Sequence, residues 1–369
     1  MTLSLDATYA GARVLVTGHT GFKGSWLSLW LTQMGAEVSG FSRDVSTEPA
    51  AFNLMRLGNT ISDQRGEIAD PDAVLAAVRA AAPTIIFHLA AQPIVRAGFS
   101  DPIATFQANV MGTATVLEAA RKTASVRAVV VVTSDKVYSN AGSAWPFRET
   151  DGLGGHEPYG ASKAAAEIVT DVYRAASFHR AAGSTNIAAI ASVRAGNVIG
   201  GGDWAANRLI PDFVRALSEQ RRQIIRQPRA TRPWQHVLEP LGGYLMTGAA
   251  LLSKMPDLPP ALNFGPTEAA MPDVETVARD FLKAMGGPPD LIEIRPDPHS
   301  GEAATLRVDS SLAMRCLDWR PAWSVDQAVA ETAAWYRDWI GGSADMRAVS
   351  LAQLSAYRAD TNVVALRQA

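Results

Sequence analysis

Cysteine is almost absent from this chain: Cys316 stands alone among 369 residues, which leaves no internal disulfide to form and fits a reducing compartment. No apolar run approaches the roughly 20 residues that cross a bilayer, so no membrane association is expected. The opening MTLSLDATYAGARVLVTG lacks a basic segment followed by an apolar one, and a cytoplasmic location is the expectation. Charge of one sign is lacking too. A net charge of −2 offers no electrostatic footprint for nucleic acid or an anionic surface. The histidines lie far apart in sequence, and with a single cysteine they give no expectation of a metal site. There is neither an internal repeat nor a low-complexity tract. A hydrophobic content of 47% and a charged content of 19% describe an ordinary globular protein, long enough for two modest domains or one domain with a lobe.

In the first half, short β-branched runs alternate with longer helical stretches, the pattern of an α/β, Rossmann-type, doubly wound parallel sheet. Strands are predicted at Arg13–Thr17, Glu37–Phe41, Thr84–His88, Ala128–Thr133 and Ile187–Val193; Thr84–His88 and Ala128–Thr133 are continuous in apolar character, as parallel strands covered on both faces should be. Helices are predicted over Phe22–Met34, Pro102–Lys122 and Pro158–Arg180, the last two with proline at the start. After Gly196 come isolated aromatics, many arginines and proline breaks. The expected division is a dinucleotide-binding domain over 1–195, with 237–262 returning to it. A smaller, mainly C-terminal substrate lobe would take 196–236 and 263–340, and 341–369 would form a tail with a terminal helix and a loose end.

Gly18–His19–Thr20–Gly21–Phe22–Lys23–Gly24 lies between the first strand and its helix. Its glycines permit a tight turn, and the free N–H groups of the helix start favour a pyrophosphate. The residues at the end of the second strand leave the dinucleotide open between NAD and NADP. Ser42 and Arg43 suit a 2′-phosphate, whereas Asp44 sits two residues late for the acid that reads a ribose diol. His19 and Lys23 would add positive charge. Leu89–Ala90–Ala91–Gln92 follow a strand end, where the backbone passes the cofactor. His88 reads as a packing histidine, and Asn109 as either a cofactor contact or a structural helix residue.

Tyr159 and Lys163 stand at i, i+4 on one helical face. A tyrosine with a pKa of about 10 needs a neighbouring cation to act as a base near neutrality. Ser134 would bond the hydroxyl that Tyr159 deprotonates. Asp135 is a candidate general acid, and Lys136 a candidate general base or electrostatic stabiliser. An acid and a second amine beside a redox tyrosine imply proton transfers beyond alcohol oxidation. In the second lobe Arg208 and Arg232, and less clearly Arg194, are candidate diphosphate ligands, because a guanidinium fork binds two oxygens. Asn197 is a candidate sugar or diphosphate contact. Trp234 and Trp204 are candidates for ligand contact or lobe core, and His299 and Glu302 for closure over the ligand.

The G-x-x-G-x-x-G loop and Tyr-x-x-x-Lys pair resemble the extended short-chain dehydrogenase/reductase superfamily. Within it, VTGHTGFKGSWLSLWL (16–31), FHLAAQPIVR (87–96), TSDKVY (133–138), SVRAGNVIGGGDW (192–204), RPWQHVLEPLGGYL (232–245), NFGP (263–266) and DWRPAW (318–323) make the chain resemble the CDP-glucose 4,6-dehydratases over nearly its whole length. The resemblance implies a nicotinamide cofactor, a CDP-glucose substrate, and conversion to a 4-keto-6-deoxy sugar for deoxysugar biosynthesis. Tyr159 would take the C4 hydroxyl proton, Lys136 the C5 proton, and Asp135 would protonate the departing C6 hydroxyl. Gln92 and Arg96 would meet the substrate, and Glu67–Ile68 the adenine, with Glu67 replacing the usual Asp. Lys136, where dTDP-sugar relatives carry Glu, points to the cytidine branch. A homo-oligomer, a dimer or a dimer of dimers, would pair through helices 102–122 and 158–180. Rival readings are another nucleotide-sugar dehydratase or epimerase, a plain alcohol dehydrogenase, or a non-catalytic dinucleotide sensor.

Overall fold

The computed structural model describes residues 2–140, 142–143, 145–181, 183, 187–266, 271–297, 305–361 and 365–367. Seven parallel strands make the central sheet: β1 (Arg13–Thr17), β2 (Glu37–Ser42), β3 (Ser62–Arg65), β4 (Ile85–His88), β5 (Ala128–Val132), β6 (Ala189–Ala195) and β7 (Ala261–Phe264). Their order is β3-β2-β1-β4-β5-β6-β7, with every pairing parallel. The direction of winding reverses between β1 and β4, so a crevice opens beyond their carboxyl ends.

Period-2 alternation divides the strand side chains between two cores. Val14, Val16, Ile85, Phe87, Val130 and Val193 face one layer. It contains α1 (Phe22–Gln33) with Trp26 and Trp30, and α5 (Leu238–Leu252) with Leu241, Tyr244 and Leu245. Leu15, Ile86, Val129, Val131 and Ile190 face the other. There they meet Val74 and Val78 of α2 (Pro71–Ala81) and Val116 and Leu117 of α3 (Gly112–Arg121). The helix α1 is buried nearly all round, so its sequence shows no polar stripe.

Three elements depart from the sequence reading. The polar strand β3, SDQR, carries no hydrophobic pattern; it forms because the outer edge of β2 offers its hydrogen bonds to Ser62–Arg65. The predicted helix 102–122 is interrupted by a π turn at Gln107–Met111. That turn points Asn109 inward, where it accepts from the Gln92 amide at 2.8 Å and donates to the Gln92 carbonyl at 3.1 Å and to Ser162 at 2.8 Å. The helix predicted to Arg180 stops earlier: α4 spans Pro158–Arg174, and His179 closes on the Tyr173 carbonyl at 2.7 Å.

Helix α5 packs on β5 and β6. The C-terminal stretch is tied down as far as it is described. Helix α6 (Met346–Asp360) buries Leu354 and Tyr357, and Ala365–Arg367 pairs antiparallel with Thr2–Ser4. Among the described residues no helix is long and apolar enough to cross a membrane.

Candidate active site

The carboxyl ends of β1, β2, β4, β5 and β6 border one cavity of about 750 Å³. Its floor is the glycine loop. A Cβ on Gly18 would lie 2.6 Å from the Ala90 nitrogen, and one on Gly24 would lie 2.1 Å from the Gly18 carbonyl oxygen. These two glycines let strand, loop and α1 pack as one layer. Gly21 caps α1 with no side-chain acceptor, and a Cβ there would meet only the Gly18 oxygen, at 3.4 Å. Phe22, Lys23 and Gly24 of the first turn of α1 border the cavity, and a helix N-terminus there favours an anionic pyrophosphate.

The catalytic candidates arrive on two elements. Strand β5 runs into the Asp135–Val137 turn, where the Ser134 hydroxyl donates to the Asp135 carboxylate at 3.1 Å and accepts from the Lys136 amide at 3.2 Å. Helix α4 starts at Pro158 and is capped by Glu157, whose carboxylate accepts from the amides of Tyr159 at 2.8 Å and Gly160 at 2.7 Å. A Cβ on Gly160 would stand 2.8 Å from the Lys136 carbonyl oxygen, so glycine is what lets the two elements touch. Ser134, Asp135, Lys136, Tyr159 and Lys163 all line the cavity.

Burial governs their electrostatics. It pushes Asp135 above the usual carboxylate range, against the opposing pull of Lys136, Ser134, Arg232 and Lys23. Asp135 Oδ2 finds no hydrogen-bond partner among the described residues. Burial also lowers Lys163 to about 8, partly offset by Glu167, and lowers Lys23 to about 8. The Tyr159 phenol is pushed up to about 12 by burial, with Ser134 opposing. Lys163, the cation expected to serve Tyr159, is engaged with the strand in this structure. Its ammonium donates to the Val132 carbonyl at 3.0 Å.

The candidate cofactor residues Gly18, Thr20, Gly21, Phe22, Lys23, Gly24, Ser42, Arg43, Glu67, Ile68, Leu89, Ala90, Ala91 and Gln92 border the cavity, as do the substrate candidates Arg96, Asn197, Arg208, Arg232 and Trp234. Three candidates do not. His19 is fully buried between Asp63, at 2.9 Å, and Ser42, at 3.0 Å, and burial lowers its pKa, so it adds no charge to the loop. Asn109 shapes the Gln92 segment as described above. Arg194 faces away, clamped to Glu167 with only 4% of its side chain exposed, so it is no diphosphate ligand. His299 and Glu302 lie outside the described residues. His88 bonds Thr17 at 2.8 Å and Thr113 at 3.1 Å and is kept neutral by burial, a packing role.

Where β2 ends, the cavity's charge is decided by neighbours. The Ser42 hydroxyl is engaged with His19, and Arg43 is flanked by the carboxylates of Asp44 at 3.0 Å and Glu67 at 3.9 Å. Two carboxylates there oppose a 2′-phosphate and weaken the NADP alternative. Sequence reasoning missed Asp203, which receives Arg208 at 2.8 Å, and the segment Gln223–Gln227 along the far wall. Asp203 directly precedes Trp204 in a segment already singled out, so its acid was the available signal. The 223–227 stretch carried none: it reaches the wall because Gln223–Ile225 pairs with Ile292–Ile294.

A Rossmann-type crevice that joins a glycine-loop dinucleotide floor to a Ser–Asp–Lys/Tyr–Lys cluster defines a nucleotide-sugar-modifying short-chain dehydrogenase fold. The chain belongs to the family described as GDP-mannose 4,6 dehydratase, whose profile matches residues 15–247. It is 41% identical over 354 residues to a CDP-glucose 4,6-dehydratase of Salmonella typhimurium, covering 96% of this chain and 98% of that one. Among solved structures, an epimerase from Methanothermobacter thermautotrophicus is 27% identical with a TM-score of 0.77, covering 92% of this chain and 96% of that one. A dTDP-glucose 4,6-dehydratase from Streptomyces venezuelae, solved with NAD bound, has a TM-score of 0.75 at 23% identity over 90% of this chain and 99% of its own; it speaks for the fold.

Proposed function

We propose that the chain is an NAD-dependent CDP-glucose 4,6-dehydratase of the cytoplasm, forming CDP-4-keto-6-deoxyglucose. The observation that carries this reading is one cavity that gathers a helix N-terminus, a Tyr–Lys pair and a separate Asp–Lys pair. The 41% identity to the Salmonella enzyme along almost the whole chain supports the choice of substrate.

The residues present fit NAD. The Gly18–Gly24 loop and the first turn of α1 would hold the pyrophosphate, and Leu89–Gln92 would flank the middle of the dinucleotide. NAD held there would supply the hydride acceptor for C4 of the sugar and, once reduced, the hydride donor for C6. Tyr159, with Ser134 beside it, takes the C4 hydroxyl proton; its raised pKa calls for the bound cation of the cofactor and Lys163 to favour the phenolate. The resulting 4-keto group acidifies C5–H, and Lys136 takes that proton. Asp135, whose pKa burial raises above the ordinary carboxylate range, is the acid that gives its proton to the C6 hydroxyl as water leaves. Arg208 and Arg232 bind the diphosphate.

The exposed apolar residues Phe99, Ile103, Met111, Ile168 and Val172 lie on the segments 95–111 and α4, and a second copy of the chain covers them.

Incubation with CDP-, dTDP-, GDP- and UDP-glucose tests the reading. CDP-glucose should give the alkaline absorbance of a 4-keto-6-deoxy product without net consumption of NAD. Preference for another nucleotide sugar, or stoichiometric NADH release, would overturn it. In D2O the product should carry deuterium at C5, and Lys136→Ala should abolish the exchange of C5–H. Normal exchange in that variant would remove Lys136 from the role of base.

A further inference from the structure

Behind the catalytic turn lies a polar network that the reaction above does not use. Glu167 follows Lys163 by one helical turn on α4, and its side chain is 2% exposed. Its carboxylate accepts from Arg194 Nε at 2.8 Å and from the second guanidinium nitrogen at 2.9 Å. It also accepts from the Ser192 hydroxyl at 2.6 Å and from the Thr133 hydroxyl. Arg194 completes its own set on Tyr138, at 2.9 Å, and on the Glu149 carbonyl, at 3.2 Å. So one face of α4 grips consecutive residues of the β5 end: Lys163 holds the Val132 carbonyl and Glu167 the Thr133 hydroxyl, immediately before Ser134.

We propose that Glu167, held by Arg194, is a positioning residue that keeps the buried Lys163 ammonium charged and sets the β5 end from which Ser134 and Asp135 project. The proposal rests on the reading of Lys163 as the cation that serves Tyr159. The groups around Lys163 are Lys23 from α1, which lies close enough to repel it, His88 from β4, neutral by burial, and Tyr159 and Glu167 from its own helix. Glu167 is thus the near carboxylate that favours the charged amine. Burial works against the Glu167 anion, but Arg194, Ser192 and Thr133 more than offset it and hold the carboxyl below its usual range. Arg194 therefore fixes the anion, and the anion supports the cation.

The test compares Glu167→Gln, Arg194→Gln and the double variant in the NAD-loaded enzyme. The readouts are the alkaline limb of kcat/KM with CDP-glucose and the pH dependence of NAD affinity, followed by tryptophan fluorescence quenching. Loss of the carboxylate lowers the Lys163 pKa, so Glu167→Gln should move the alkaline limb down by about one pH unit or more, as expected for charges one helical turn apart in a partly desolvated site. Arg194→Gln withdraws the cation that keeps Glu167 ionised and should also move the limb down, by less than Glu167→Gln. The double variant leaves neither member of the Glu167–Arg194 pair buried without the other, so it carries the test if Glu167→Gln does not fold; its limb should fall by less than that of Glu167→Gln. Uniform loss of rate at every pH, with both limbs unmoved, would overturn the proposal and reduce the pair to scaffold. Wild-type enzyme that binds NAD but leaves CDP-glucose unchanged would defeat the functional reading, while the NAD titrations would still decide the role of Glu167.

Discussion

The two sides of the Val132–Tyr138 segment are built from similar residues and behave differently. On the cavity side Asp135 has an oxygen without a partner among the described residues, and burial brings two lysines to about 8 and a tyrosine to about 12. On the inner side Glu167, Arg194, Thr133, Ser192, Tyr138 and Asn263 satisfy one another, and the Arg194 guanidinium lies 5.1 Å over the Tyr138 ring. Both sides are buried, so burial alone does not mark a reactive site. What separates them is whether the partners are present. Groups shifted by burial without full pairing mark the reactive side, and groups fully paired hold the frame.

The largest break in this contrast should come from the cavity side. Tyr159→Phe should lower turnover of CDP-glucose by about 10²–10⁴-fold, the usual reach of a positioned acid–base group, while NAD binding followed by fluorescence persists. Asp135→Asn should likewise cut turnover by about 10²-fold or more, yet raise the melting temperature at neutral pH. Burial raises the Asp135 pKa, so its contribution to stability is full below the ordinary carboxylate range and is lost as pH rises through the raised value. The amide removes that loss, so the gain should vanish in acid; a gain independent of pH would contradict the assignment.

Glu239 is an intermediate case, paired and still perturbed. It accepts from the amides of Ala322 at 3.1 Å and Trp323 at 2.7 Å and from the Tyr357 hydroxyl at 2.9 Å, and burial raises it to about 7. Its stabilising contribution should be complete below about pH 4.5 and decline as pH rises through 7, by about 3 kcal/mol in all. Urea unfolding from pH 5 to 8 should show that decline, and Glu239→Gln should flatten it.

On the inner side, Tyr138→Phe deletes a hydroxyl bonded to Asn263 at 2.7 Å and to Arg194, and should cost about 1–3 kcal/mol in urea unfolding with kcat little changed. A loss of turnover as large as that of Tyr159→Phe would erase the distinction between the two sides. The smallest effect should be at the surface. Arg279→Ala removes an exposed pair with Glu275 and should change unfolding free energy by no more than about 0.5 kcal/mol.

Legibility in the sequence followed the same physics. The strands β4 and β5 were readable because parallel strands buried on both faces must be apolar throughout, and the Gly18–Gly24 and Tyr159–Lys163 spacings were readable because backbone geometry and helical pitch are local. The polar edge strand β3 was not, since its hydrogen bonds are supplied by β2 rather than by any pattern of its own. The π turn at Gln107–Met111 escaped notice because it answers to Gln92, fifteen or more residues away in the chain.

By itself the sequence determined the doubly wound sheet, the glycine loop and the identity of the Ser134, Asp135, Lys136, Tyr159 and Lys163 cluster, because each is written in local spacing and residue chemistry. Tertiary structure alone decided which arginines face the cavity. Arg208 and Arg232 border it, whereas Arg194, in an equally suggestive segment, is turned to Glu167. It also decided that His19 is a neutral packing group and that Tyr159 begins high. A side chain's charge and direction depend on desolvation and on partners distant in sequence, and those exist only once the chain is folded.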